Sequence, residues 1–135
     1  MDGSKSRTKI RVRYAETDQM GVVYYANYLV WMEVARVAFC RHAGFEYRDM
    51  EREAGAQLAV TEARCQYRAP ARFDDEVDLV CWVTESRSRS VRFAYEMLRD
   101  GELLATGETL HTVIDSRGKM IRLPEQYRRY FPLTG

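Results

Sequence analysis

The chain has 135 residues, 46% of them hydrophobic and only 3 of them proline, a composition that excludes disordered and collagen-like classes and fits one domain. The charge balance, 21 Lys and Arg against 20 Asp and Glu, leaves a net charge of +1. No overall field therefore points to nucleic acid or to an anionic membrane as partner.

The opening MDGSKSRTK is polar and has no apolar signal-peptide stretch, so residues 1–7 are expected to form a disordered tail on a cytoplasmic protein. Residues 8–14, TKIRVRY, alternate Ile10, Val12 and Tyr14 with Lys9, Arg11 and Arg13, the pattern of a half-buried strand. After a loop, a helix is expected from Val23 or Tyr24 to about His42. It is closed by Ala43-Gly44, with Arg41 and His42 in its last turn. Tyr28, Trp31, Met32, Ala35 and Phe39 fall on one side of it, and Leu29, Val30, Val34, Val37 and Ala38 cover most of the rest. A helix apolar nearly all round is expected to be buried on nearly all sides. Asn27, Glu33 and Arg36 interrupt the run and argue against a membrane span.

Residues 46–54 read as a short polar helix ending at Gly55. Four strand-like segments follow, over 56–68, 76–85, 90–99 and 102–115. Asp100-Gly101 makes the last two a hairpin. Asp115-Ser116-Arg117-Gly118 closes another turn, and Pro124 opens a terminal helix, PEQYRRYF. Strand, buried helix, small helix and four antiparallel strands make an α+β fold, with one curved sheet around one long central helix in a single domain over 1–135.

Chemistry centres on ETDQMGVVYYANY. Asp18 lies about five residues before the expected first turn, too early for an N-cap. It is open to two accounts, an Asx turn or a carboxylate doing chemistry. Asn27 suits either a hold on the preceding loop or a substrate contact. Glu33 is a rival carboxylate, although Arg36 three residues on is spaced for an ion pair with it. Arg87, Arg89 and Arg92, interleaved with Ser86, Ser88 and Ser90, suit phosphate groups or a solvated turn. Cys40, Cys65 and Cys81 are an odd number in apolar stretches without C-x-x-C, and read as small buried hydrophobes. His111 in an alternating strand reads as a sheet residue, and nothing has metal-ligand spacing.

The segment Y-x-E-T-D-x-M-G-V-V-Y-Y-A-N-Y-x-x-W, from Tyr14 to Trp31, resembles the signature of the 4-hydroxybenzoyl-CoA thioesterase family of hotdog-fold proteins. Acyl-CoA thioesterases encoded beside the Tol-Pal system belong to the same group. The resemblance runs over nearly the whole chain, including the Asp-Gly hairpin and the Arg-Leu-Pro before the last helix. It implies a hotdog fold with a five-stranded sheet, and homodimers or homotetramers with sites at subunit interfaces. It also implies hydrolysis of acyl-CoA to free acid and coenzyme A without a metal or redox cofactor.

By the same resemblance the catalytic carboxylate is Asp18, and the backbone N–H that polarises the thioester carbonyl is that of Tyr25. The Tol-Pal-type relatives usually carry His where this chain has Tyr25, so whatever that His does cannot be carried over. Gly21, Val22, Tyr24, Asn27 and Tyr28 are the expected substrate contacts near the helix mouth, with Arg87, Arg89 and Ser90 for the phosphates of coenzyme A. Tyr24, Tyr25, Tyr28 and Trp31 together favour aromatic or short acyl groups, or are ordinary core. A non-catalytic acyl-CoA-binding module is the alternative from another class. A dehydratase would need a His near Asp18.

Overall fold

The computed structural model describes residues 5–131. Five strands, β1 (Ser6–Arg11), β2 (Gln57–Tyr67), β3 (Glu76–Arg87), β4 (Ser90–Arg99) and β5 (Glu102–Ile114), form one antiparallel sheet in the order β1-β3-β4-β5-β2. Helix α1 (Asn27–Ala43) packs against the sheet, and the shorter α2 (Tyr47–Ala54) follows. Among the described residues both edges of the sheet are unpaired: the short β1, and β2, whose 11 residues are mostly exposed.

The local signals that specify turns hold. Asp100 and Gly101 both adopt positive φ, 51° and 83°, as a two-residue hairpin between twisted strands requires. Gly44 ends α1 at φ 119°, its N–H reaching back to the carbonyls of Cys40 and Arg41. Gly107 on β5 answers a different need. A Cβ there would run into the Met32 side chain and approach the Arg64 carbonyl to 3.1 Å, so only glycine lets α1 lie this close to the sheet.

Three expectations need correction. The strand expected over 8–14 starts earlier and ends earlier, because Ser6 pairs with Cys81 and donates to or accepts from His42 Nδ1 at 2.8 Å. Ser6 and Arg7 therefore belong to the sheet and not to a tail; residues 1–4 lie outside the described residues. Helix α1 starts at Asn27 rather than Val23 or Tyr24, because their N–H groups are used elsewhere, Val23 on the Ala71 carbonyl and Tyr24 on the Glu16 carbonyl, both at 2.8 Å. Finally, α1 is not buried all round. Tyr28, Trp31, Met32, Ala35 and Phe39 are buried, but Leu29, Val30 and Val34 are 40–47% exposed, since a single sheet can wrap only one side of a helix. The terminal helix is a 3-10 helix, Glu125–Tyr130.

Behind α1 runs a buried polar chain. Arg36 Nη1 donates to Tyr95 Oη at 3.1 Å, Tyr95 Oη lies 2.6 Å from Thr109 Oγ1, and Thr109 Oγ1 lies 2.8 Å from His111 Nε2. His111 Nδ1 meets the Leu58 carbonyl at 3.2 Å. Guanidinium only donates and carbonyl only accepts, so with a neutral imidazole every bond points the same way, from Arg36 to Leu58. Burial, and then the charge of Arg36, push the His111 pKa down to about 4, which keeps the ring neutral. Arg36 thus binds Tyr95 and not Glu33. Glu33 is exposed and has no salt bridge among the described residues.

Candidate active site

The segment between β1 and α1 is organised by Glu16, a residue that sequence reasoning passed over. A 3-10 turn, Tyr14–Glu16, tucks its side chain inward until it is 6% exposed. Its carboxylate accepts from Arg13 N at 2.8 Å, Arg13 Nη2 at 3.2 Å and Trp31 Nε1 at 3.0 Å. Burial alone would raise its pKa, but the hydrogen bonds from the Arg13 N–H and Trp31 outweigh it and hold the carboxyl below its ordinary value. The Glu16 carbonyl accepts from Tyr24 N at 2.8 Å and from Asn27 Nδ2 at 2.9 Å. Asn27 is therefore a clamp between the helix start and the loop. The sequence held no capping-box signal for Glu16, since an Arg13 guanidinium can only donate and Glu16 supplies just the half that accepts from Arg13 N–H.

Hung from this frame, residues 18–22 make a tight turn. Asp18 N donates to the Val22 carbonyl at 2.8 Å, and Gly21 N to the Asp18 carbonyl at 3.0 Å, with Gly21 at φ 82°. Asp18 is half-buried, and its Oδ1 accepts from Met20 N at 2.8 Å and Val22 N at 3.4 Å. That is an Asx turn. Both bonds fall on Oδ1, leaving Oδ2 without a hydrogen-bond partner among the described residues.

Seven to eight residues on from Asp18, the chain reaches the mouth of α1. Ala26 caps the helix with no side-chain hydrogen bond, and the N–H groups of Tyr25 and Ala26 have no acceptor among the described residues. Unsatisfied N–H groups and the positive end of the helix macrodipole thus sit on the same loop as the Asp18 carboxylate. The Tyr25 carbonyl is fixed by Tyr67 Oη at 3.0 Å. The rings of Tyr24 and Tyr25, 46% and 61% exposed, pack 4.7 Å apart at this opening. Tyr28 is different: it is 3% exposed, packs 4.8 Å from Trp31, and accepts from Ala71 N through its hydroxyl. Its side chain is core.

The other expected contacts are not brought to this place within one chain. Val22 and Val23 bridge to Arg72 and Thr17, so the Asp18 loop packs beside the residues leading into β3. Arg87, Arg89 and Ser90 form the hairpin at the other end of β3, about 36 Å away along the strand. The exposed Arg87 is bonded to the half-buried Glu85 at 3.0 Å. No thiol competes as nucleophile, since burial pushes Cys40 up to about 12 and raises Cys81 as well. Among the described residues no group of three or more His, Cys, Asp and Glu could hold a metal ion, and no helix is long and apolar enough to cross a membrane.

Residues 12–131 match the family model described as the thioesterase-like superfamily. The chain belongs to that family. It is 33% identical over 116 residues to the acyl-CoA thioester hydrolase YbgC of Escherichia coli, covering 85% of this chain and 86% of that one. A solved structure of a DHNA-CoA thioesterase from Staphylococcus aureus superimposes with a TM-score of 0.85 at 38% identity, over 95% of this chain and 84% of that chain. A Thermus thermophilus protein described as hypothetical gives 0.88 at 42% identity, over 93% and 95%. At 18% identity, the structure of a 4-hydroxybenzoyl-CoA thioesterase mutant with its substrate shows the shared fold alone, with a TM-score of 0.85. The hotdog architecture expected from the motif is the one present.

Proposed function

We propose that the chain is an acyl-CoA thioesterase in which Asp18 attacks or activates water and the Tyr25 N–H holds the carbonyl oxygen. The enzyme class, a thioester hydrolase, follows from the family. The observation that supports the reading is that one loop carries both a carboxylate oxygen without a hydrogen-bond partner and a helix-mouth N–H without an acceptor among the described residues. A preorganised N–H aimed at a developing oxyanion contributes about 3 kcal/mol to the transition state.

Two routes balance. As a base, Asp18 takes a proton from water while the water oxygen bonds to the thioester carbon; the C–S bond breaks and the thiolate recovers the proton. As a nucleophile, Oδ2 bonds to that carbon, the thiolate leaves, and water opens the mixed anhydride. Carboxylate, water and N–H suffice for both, and coenzyme A is part of the substrate. We place the reaction in the cytoplasm, with the three cysteines as free thiols.

Assembly completes the site in this proposal. Antiparallel pairing of β2 with its copy about residue 62 sets the Gln57 end of one strand beside the Tyr67 end of the other. Gln57 pairs with Ile114 and Ser90 with Thr112, so the arginine hairpin shares the Gln57 end. One subunit's hairpin then lies about three strand spacings, roughly 14 Å, from the partner's β2. The pantetheine arm, some thirteen bonds from sulfur to the nearest phosphorus, extends roughly 15 Å at polypeptide spacing. Coenzyme A phosphates thus reach Arg87, Arg89 and Ser90 of one subunit while the thioester meets Asp18 of the other.

The Asx turn favours a second reading, a non-catalytic module in which Asp18 merely shapes the loop. Thiol release from a panel of aliphatic and aromatic acyl-CoAs decides between them. Turnover on any thioester supports the enzyme, and binding without turnover on all of them supports the module.

A further inference from the structure

Among the described residues Asp18 has no hydrogen bond outside its own turn: its backbone and carboxylate meet only Met20, Gly21 and Val22. Other residues therefore fix where that turn stands relative to the helix mouth. The chain on either side of it forms a small antiparallel ladder. Tyr24 N donates to the Glu16 carbonyl, Thr17 bridges to Val23, and Asp18 N donates to the Val22 carbonyl. The returning arm is tied to the residues before β3, with Val23 N on the Ala71 carbonyl at 2.8 Å and Val22 bridged to Arg72.

In the outgoing arm, residues 16–18, the side chain that bonds to α1 is Glu16. Thr17 Oγ1 turns back to the Tyr14 carbonyl at 2.7 Å. Glu16 Oε2 accepts from Trp31 Nε1 at 3.0 Å, one turn inside the helix, and both side chains are buried. The Glu16 carbonyl also accepts from Asn27 Nδ2, and Asn27 N donates at 2.9 Å to the Tyr24 carbonyl. That carbonyl belongs to the peptide unit that carries the Tyr25 N–H. Glu16 is thus bonded to the arm leading to Asp18, to the first helical residue and to the core of the helix. A carboxylate suits this place because donors converge on both of its oxygens, Arg13 N on Oε1 and Trp31 Nε1 on Oε2. Bonds to an ionised acceptor are the strong ones.

We propose that Glu16 is a positioning residue for hydrolysis: its carboxylate, bonded to Trp31, sets the placement of the Asp18 carboxylate relative to the Tyr25 N–H. At 6% exposed it acts through those two groups and not on the substrate. The proposal rests on the acyl-CoA reading and adds to it a residue on which the rate depends. Misplacing reacting groups by about 1 Å costs on the order of 100-fold in rate.

Glu16→Gln tests this, because it keeps the size of the side chain and the backbone carbonyl but sets an NH2 group against either the Arg13 N–H or the Trp31 Nε1–H. On an acyl-CoA that the wild type hydrolyses, kcat should fall roughly 10- to 100-fold while KM stays within about threefold. Gly107→Ala is the control for lost stability alone: it disturbs Met32 against the sheet and should keep the wild-type kcat. Trp31→Phe removes the same bond from the other side and leaves no buried N–H unpaired, so kcat should fall in the same direction. Glu16→Gln/Trp31→Phe should be no slower than Glu16→Gln, because the amide then faces one donor fewer. Wild-type kcat in Glu16→Gln, a loss confined to KM, or losses that multiply in the double variant overturn the proposal. If Glu16→Gln fails to fold, Trp31→Phe decides, and a wild-type kcat there overturns it. If the wild type hydrolyses no thioester, the catalytic reading fails separately, and hydrogen exchange judges the anchor. The amides of Asp18 and Tyr24 should then exchange about tenfold faster in Glu16→Gln, or in Trp31→Phe, while those of β3 and β4 keep their protection. Unchanged exchange at those two amides overturns the proposal.

Discussion

Lowering the pH from 7 to 5 should cost this protein stability through one buried side chain, His111. The ring is 0% exposed and held neutral by burial and by Arg36, with its pKa depressed from 6.5 to about 4. Above pH 6.5 neither the folded nor the unfolded imidazole carries a proton, and the contribution of His111 is fully present. Between 6.5 and 4 the unfolded state binds a proton that the fold refuses, so stability falls as pH falls, by about 1.4 kcal/mol per unit. Below 4 both states are protonated and this dependence stops. From pH 7 to 5 the loss is roughly 2 kcal/mol. Glu16 and Asp75 have depressed values from ordinary ones of 4.5 and 3.8, so their contributions are lost only below that window. Urea midpoints at fixed protein concentration, for wild type and His111→Gln, isolate the effect, since every other titrating group is common to both. The wild-type curve should drop by about 1 M more than the variant's for a urea dependence near 2 kcal/mol per molar. Parallel losses in the two proteins would refute the depressed histidine.

Glu16→Ala removes the acceptor of three hydrogen bonds and leaves the buried Trp31 Nε1–H unsatisfied, so thermal or urea unfolding should show a loss of about 2–3 kcal/mol. Gly107→Ala forces the fully buried Met32 to move, and the same measurement should show roughly 1–3 kcal/mol of destabilisation. Light scattering at micromolar concentration should find at least a dimer, because β2 presents a long unpaired edge. A monomer there would remove the shared-site account.

Local chemistry was legible where a turn or a face depends on neighbours in sequence. The Asp100-Gly101 hairpin declared itself because its backbone needs two positive φ values, and β4 runs over the expected 90–99. What long-range partners decide was not legible. Val23 and Tyr24 look helical until Ala71 and Glu16 take their N–H groups, and polar Ser6 looks like tail until Cys81 pairs with it. At the site, Tyr25 was expected inside the first helical turn and lies instead on the loop that carries Asp18, because α1 starts at Asn27. The role of Glu16 stayed hidden because a glutamate before a loop reads as solvated, and only the fold shows Trp31 reaching it. Glu33 and Arg36 had ion-pair spacing, yet the buried Tyr95 hydroxyl takes the guanidinium instead.

The central claim, that Asp18 is the catalytic carboxylate, is tested most directly by measuring thiol release with Asp18→Asn beside the wild type, with Glu33→Gln as control. Asparagine keeps the Oδ1 acceptor that Met20 N–H uses, so the Asx turn and the fold should survive. Loss of the basic, nucleophilic oxygen should lower kcat by about 100-fold or more while Glu33→Gln stays active. An Asp18→Asn enzyme with full activity beside a dead Glu33→Gln enzyme would contradict the account and move the chemistry to the helix.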